Sequence, residues 1–270
     1  MREIAVAVQN ENEQVGVEET IRSIKKVGFE NVFVQWYDED WEISQEAQIE
    51  MCKKIGLHIE FAHLGYHGIN AIWLEGEEGE RFVERYQKDI KDCKENGISL
   101  VVMHLVSRRN PPQYGEIGLE RIRKITQYAR ELGVKVAFEN TAIKGYLEYV
   151  LENIQDDNVG MCLDSGHLHV FFDDEFNFEL AKNRIFAVHL HDNDQSDDLH
   201  LLPFDGTVNW KFIVQKLKEC NYGGPVTLEI TYRYDYLKKS LDEFYQKGYR
   251  VGCELASQFE NQKTLLLDKI

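Results

Sequence analysis

Eight times along this chain a short β-branched and apolar run ends in polar residues and gives way to an amphipathic stretch. The runs are Glu3–Val8, Asn31–Trp36, His58–His63, Leu100–Leu105, Lys135–Asn140, Val159–Asp164, Ile185–His191 and Val226–Thr231. They are nearly continuous in apolar residues rather than alternating, which suits strands covered on both faces, as in parallel sheets. The intervening stretches read as helices. Val17–Lys26 places Val17, Ile21 and Ile24 on one side and stops at Gly28, and Ser44–Ile55 stops at Gly56. Arg81–Glu95 ends before Gly97. Leu119–Leu132 carries Leu119, Ile122, Ile125, Ala129 and Leu132 at helical spacing before Gly133, and Trp210–Leu217 precedes the turn Tyr222-Gly223-Gly224-Pro225. Helix, glycine and strand in that order mark βα units. Eight such units in 270 residues predict an α/β fold, a single (β/α)8 TIM barrel over residues 1–270 with no linker to divide it. An open doubly wound sheet is the alternative. No GxGxxG follows the first run and there is no P-loop, so neither dinucleotide nor P-loop nucleotide binding is supported.

Composition narrows the function. Apolar residues at 43% supply a large core, while only 4 prolines and no low-complexity stretch exclude a disordered or fibrous chain. No apolar run approaches the roughly 20 residues a membrane helix needs, and the start turns polar from Gln9, too early for a signal peptide. The five cysteines (Cys52, Cys93, Cys162, Cys220, Cys253) are odd in number and lack CxxC spacing, so they read as reduced thiols of a cytoplasmic protein. The 31 basic residues against 47 acidic ones leave a net charge of −16, which repels nucleic acid and membrane surfaces at long range.

The chemistry is positional. Barrels build active sites at the carboxyl ends of their strands, and metal-ligand side chains fall there in this sequence. His63 closes the third run and His104 lies near the end of the fourth. Glu139 ends the fifth, and Asp164 ends the sixth with His167 three residues on. His189 and His191 close the seventh, Asp198 and His200 follow in its loop, and Glu229 ends the eighth. A lone histidine at a strand end is usually structural, but coincidence does not account for imidazole or carboxylate on six consecutive ends. Carboxylate and imidazole without thiolate suit Zn, Mn, Co, Fe or Mg rather than a soft metal. Cys162, two residues before Asp164, is expected to point elsewhere. Four carboxylates converging in one cavity would repel strongly, which favours at least one divalent metal and allows two or three. His67 and His169 sit just beyond the metal positions as groups of an outer shell or lid. Arg108-Arg109 is the only clear basic pair near a strand end, a candidate phosphate site. Trp36, Tyr37, Tyr66, Trp73, Phe171, Phe172, Tyr232 and Tyr234 lie near the expected mouth, as sugar-stacking rings or as core and lid.

The segments Phe61-Ala62-His63, Val102-Met103-His104, Phe138-Glu139-Asn140-Thr141, Leu163-Asp164-Ser165-Gly166-His167, Val188-His189-Leu190-His191-Asp192-Asn193, Asp198-Leu199-His200 and Leu228-Glu229, taken in order, resemble the xylose isomerase-like barrel superfamily, which includes sugar isomerases and epimerases and the endonuclease IV group. The resemblance implies that Glu139, Asp164, His189 and Glu229 form the four-ligand metal site of the isomerases and epimerases, with the two glutamates also moving substrate protons. It implies a substrate contact for His167, or a second metal in the endonucleases. His63, His104, Asp198 and His200 match the further ligands of a three-zinc endonuclease cluster. The expected function is a metal-dependent isomerase or epimerase of a small sugar or sugar phosphate, with Glu139, Glu229 and His167 catalytic and His67, Arg108 and Trp73 binding substrate. One alternative is an abasic-site phosphodiesterase, the only reading with nucleic acid as partner. The other is a metal-binding barrel without turnover. No membrane partner is expected, and a homo-oligomer is possible.

Overall fold

The structure, a computed structural model, describes residues 2–9, 15–36 and 44–260. Its strands are β1 (Ile4–Val8), β2 (Asn31–Trp36), β3 (His58–Leu64), β4 (Leu100–Met103), β5 (Lys135–Glu139), β6 (Val159–Asp164), β7 (Ile185–His189) and β8 (Val226–Leu228). The helices are α1 (Val17–Val27), α2 (Gln45–Ile55), α3 (Glu77–Glu95), α4 (Glu116–Glu131), α5 (Tyr146–Asn153), α6 (Ser165–Phe172), α7 (Trp210–Glu219) and α8 (Leu241–Glu260). Each strand pairs in parallel with its neighbours in the order β7-β6-β5-β4-β3-β2-β1-β8. A parallel bridge between Leu190 and Leu228 joins the two ends of that order, so the sheet closes into the expected (β/α)8 barrel.

All eight predicted runs are strands, but four end earlier than expected. Leu100–Leu105 stops at Met103, Lys135–Asn140 at Glu139, Ile185–His191 at His189 and Val226–Thr231 at Leu228. His104 and Glu229 therefore follow their strands directly. Gly28 and Gly56 cap α1 and α2 in the left-handed conformation (φ 113° and 80°) that glycine adopts without strain.

The barrel interior explains where the site must be. Successive side chains of a strand point to opposite faces. Ala7, Phe33, Phe61, Val102, Ala137, Cys162 and Ala187 form one buried layer inside the barrel, filled mainly by the stacked rings of Phe33 and Phe61 (centroids 4.7 Å apart). Two residues further along each strand the chain presents Gln9, Gln35, His63, His104, Glu139, Asp164 and His189, and Glu229 stands two beyond buried Thr227. The upper layer is thus six ionisable groups and two carboxamides. The same periodicity corrects the expectation for Cys162. A residue two before Asp164 shares its face, so Cys162 sits in the layer below, where burial raises its thiol pKa to about 12. Alternate strand residues such as Val6, Val32, Val34, Ala62, Val101, Val136, Phe138, Leu163 and Val188 belong with helix residues to a second, continuous core.

Candidate metal centre

Glu139 is the hub. One of its oxygens, Oε2, lies 3.2 Å from His63 Nε2, 3.4 Å from His104 Nε2 and 3.2 Å from His189 Nδ1, while Oε1 lies 2.9 Å from His167 Nδ1. His189 Nδ1 also faces Glu229 Oε2 at 3.4 Å and Asp164 Oδ2 at 4.0 Å. On the other side His167 Nε2 and His200 Nε2 meet Asp198 Oδ2 at 3.0 and 3.3 Å. The nine residues expected to bind metal (His63, His104, Glu139, Asp164, His167, His189, Asp198, His200 and Glu229) therefore stand together.

Local chemistry holds them in place. Asp164 caps α6 by accepting the His167 backbone N–H at 2.7 Å. Buried Asn140 clamps the Asp164 backbone, accepting its N–H (2.7 Å) and donating to its carbonyl (2.9 Å). Phe33 stacks on the His189 ring at 4.9 Å. Fully buried Asp192 accepts four hydrogen bonds, from the backbone N–H groups of Asn193, Phe204 and Val208 and from the Trp210 indole, each at 2.9 Å. It thereby pins the loop that carries Asp198 and His200. Asp192 stands in the seventh-run motif but has no role assigned from sequence; the signal is a carboxylate directly after His-x-His.

The donor set fits a cation. The Nδ1–H of His63 donates to the Leu64 carbonyl (3.2 Å) and that of His200 to the Glu229 carbonyl (2.9 Å), which turns Nε2 of each ring toward a carboxylate. At His200 a neutral ring would then oppose lone pair to lone pair, and a proton or a cation must fill the gap. His167 Nδ1, both nitrogens of His189 and Asp198 Oδ1 are buried without a hydrogen-bond partner among the described residues. Orphaned buried polar atoms are costly unless something else binds them. Burial opposes ionisation of Glu139, but the His104 and His189 imidazoles hold its carboxyl well below the usual range. Asp198 is likewise held low, against burial, by His167 and His200. Against the same burial, Asp164 and Asp198 hold His167 well above the ordinary histidine range, and His200 rises to about 10 beside Asp198. His189 is also held well above that range, beside Cys162, Glu229 and Glu139. Burial lowers His104.

A cavity of about 200 Å³ opens above this cluster, lined also by Gln9, Gln35, Tyr66 and Arg233. Gln9 directly follows β1 and Gln35 belongs to β2, the strands that bring no ionisable group to the upper layer. Gln35 is buried, with Oε1 lacking a partner among the described residues. Tyr66 stacks on His104 at 4.0 Å. Nothing in the chemistry of either glutamine singles it out from sequence alone. A larger groove of about 620 Å³ lies outside the barrel between α5, the Asp174–Lys182 segment and α7, away from these imidazoles.

The expected substrate-binding residues are not in the cavity wall. Trp73 is buried, its indole N–H donates to the Leu105 carbonyl at 2.6 Å, and its ring packs edge-on against Tyr146. His67 is exposed in the segment after β3, and its carbonyl accepts from Arg85. Arg108 stands half exposed, 4.0 Å over the Phe171 ring and 3.7 Å from Asp197. Since Phe171 neighbours the His167 ring at 5.6 Å, Arg108 belongs to the outer rim. His169 is held by Asp174 (3.2 Å) and Thr207 (2.9 Å), a structural pair of contacts. Trp36 and Phe172 are core residues, and Tyr37 lies outside the described residues. No described helix is long and apolar enough to cross a membrane.

Comparison with known proteins agrees with this architecture. The chain is 31% identical over 143 residues to the uncharacterized protein y4fM of Sinorhizobium fredii, covering 53% of this chain and 45% of that protein. It is 27% identical over 153 residues to an inosose isomerase of Halalkalibacterium halodurans, covering 51% of this chain and 53% of the other. The chain spans about half the length of the curated relatives it matches. Among solved structures, the IOLI protein with a bound zinc atom superposes with a TM-score of 0.71 over 96% of this chain and 99% of the other at 18% identity, a likeness of fold. The model of the xylose isomerase-like TIM barrel family matches residues 18–251, and the chain belongs to that family.

Proposed function

We propose that this chain is a divalent-metal-dependent isomerase or epimerase of a small polyhydroxylated carbonyl compound. The observation that carries the reading is the layer of six imidazole and carboxylate side chains on consecutive strands, opening into a polar cavity of about 200 Å³. That volume is below the roughly 300–1,000 Å³ of pockets for drug-sized ligands, so a small substrate fits it. Glu139, Asp164, His189 and Glu229 would hold the cation (Zn, Mn, Co, Fe or Mg), whose Lewis acidity acidifies the C–H beside a substrate carbonyl. Glu139 and Glu229 carry the proton chemistry. They stand at β5 and β8, three strands apart, with one oxygen of each within 3.4 Å of His189 Nδ1. A proton taken by one and returned by the other from the opposite face gives epimerisation; return to the neighbouring carbon gives aldose–ketose exchange. His167 anchors a substrate oxygen. The glutamines offer uncharged partners to hydroxyl groups, and Arg108 at the rim would meet a phosphate if the substrate bears one. The similarity to an inosose isomerase points to the same substrate class.

Solvent-deuterium exchange tests the proposal. Keto sugars and an inosose incubated in D2O with metal-loaded protein should gain one deuterium beside the carbonyl, and Glu229→Gln should abolish the gain while retaining fold. No exchange from any of them would reject it.

One observation favours a second reading. His63, His104, His167, Asp198 and His200 stand with the four-ligand set, as a trinuclear zinc phosphodiesterase requires. The charge of −16 opposes it, since an abasic duplex would be held off at long range. Nicking of an abasic duplex by the zinc-loaded protein decides between the two.

A further inference from the structure

Two residues beyond His189 the chain buries another imidazole, His191, for which the chemistry above has no use. Its Nε2 sits astride the Asp164 carboxylate, 3.0 Å from Oδ1 and 3.1 Å from Oδ2, and 3.7 Å from Asp198 Oδ1. Its ring lies flat on His200, with centroids 4.1 Å apart and planes inclined by 15°. It thus touches one member of the group around His189 and two of the group formed by His167, Asp198 and His200. The surroundings are shaped for this ring. The Ser165 hydroxyl donates to the His191 carbonyl (2.8 Å) and accepts its backbone N–H (3.0 Å). At Gly166 a Cβ would fall 1.9 Å from His191 Cε1, so only glycine admits the imidazole. A space-filling core residue would need only the volume. Here one nitrogen is aimed at a carboxylate and one ring face at a second candidate ligand.

We propose that His191 is a positioning residue: its contacts fix the Asp164 carboxylate and the His200 ring relative to each other, so that cation affinity depends on it. The proposal rests on the reading that the site holds a divalent cation. Hydrogen-bonding partners behind metal ligands typically change affinity by about 10–100-fold when removed.

The test titrates metal-free wild type, His191→Leu and His191→Asn with Zn2+ against a chelating dye, and records Co2+ absorption spectra of each. Wild type should bind zinc. His191→Leu should bind it about 10–100-fold more weakly with an altered Co2+ spectrum, and His191→Asn, which keeps an N–H for Asp164, should recover part of the loss. A wild type that takes up no zinc overturns the cation reading itself. Zinc-binding wild type with His191→Leu at equal affinity and an unchanged Co2+ spectrum overturns the role of His191 alone. If His191→Leu does not fold, folded His191→Asn decides: wild-type affinity with an unchanged spectrum refutes the proposal.

Discussion

Cation binding at this site should be paid for in protons, and the count should report how many cations enter. Without metal, the buried carboxylates are neutralised by neighbouring imidazolium groups. His167 and His189 are held well above the ordinary histidine range and His200 near 10, while Glu139, Asp164 and Asp198 are held below the ordinary carboxylate range. At pH 7.5 those three rings carry protons that must leave before their nitrogens can ligate. A single cation among Glu139, Asp164, His189 and Glu229 displaces the proton of His189 alone. Occupation of the His167, Asp198 and His200 group displaces two more. Each proton released makes affinity rise by up to about tenfold per pH unit below the raised pKa, so a one-cation site should tighten as pH rises from about 6 to about 8. Calorimetric titration at pH 7.5 in two buffers of different ionisation enthalpy gives the proton count, and elemental analysis of the same sample gives the metal count. One proton with one metal, or three with a filled cluster, is the expected pairing. Affinity that stays flat from pH 6 to pH 8 with no proton released would refute the argument, because the imidazoles could not then be the counter-charges of the metal-free site.

The same shifts fix the pH dependence of stability without metal. His200 is about 10 folded and about 6.5 unfolded, so its contribution is complete below about pH 6.5 and is lost as pH rises through about 10; urea unfolding in chelator should weaken over that window, and a strengthening there would contradict the sign. Gly166→Ala drives a methyl group into the His191 ring and should cost about 1–3 kcal/mol, typical of overpacking, read as a lower urea midpoint, together with weaker zinc binding. Trp73→Phe leaves the Leu105 carbonyl unpaired and should cost about 1–3 kcal/mol while zinc stoichiometry stays unchanged; a lost metal would put Trp73 back at the site.

How far the site could be read in advance follows from the period of two. Strand ends were legible because near-continuous apolar runs break at His63, Glu139, Asp164 and His189, and these polar breaks are the top of the barrel layer. Two helices escaped because α5 and α6 are eight residues each, and α6 is buried on nearly every side, its Ser165, His167 and His169 included, leaving no apolar stripe for periodicity to find. The amphipathic α8 has no glycine just after Glu260, the punctuation that revealed the others. Trp73 was misplaced because an aromatic ring near a strand end has the same sequence signature whether it stacks on substrate or gives its N–H to a buried carbonyl. Gln9 and Gln35 were invisible for the opposite reason: a carboxamide carries no chemical signature until its strand position is known. Yet that position was computable. Each stands two residues past an apolar inward residue, Ala7 or Phe33, as each ionisable residue of the upper layer stands two past its own inward neighbour. Applied to His189, the same step of two reaches His191, which is why a residue beyond the end of β7 still points into the cluster and bears on the arrangement of its ligands.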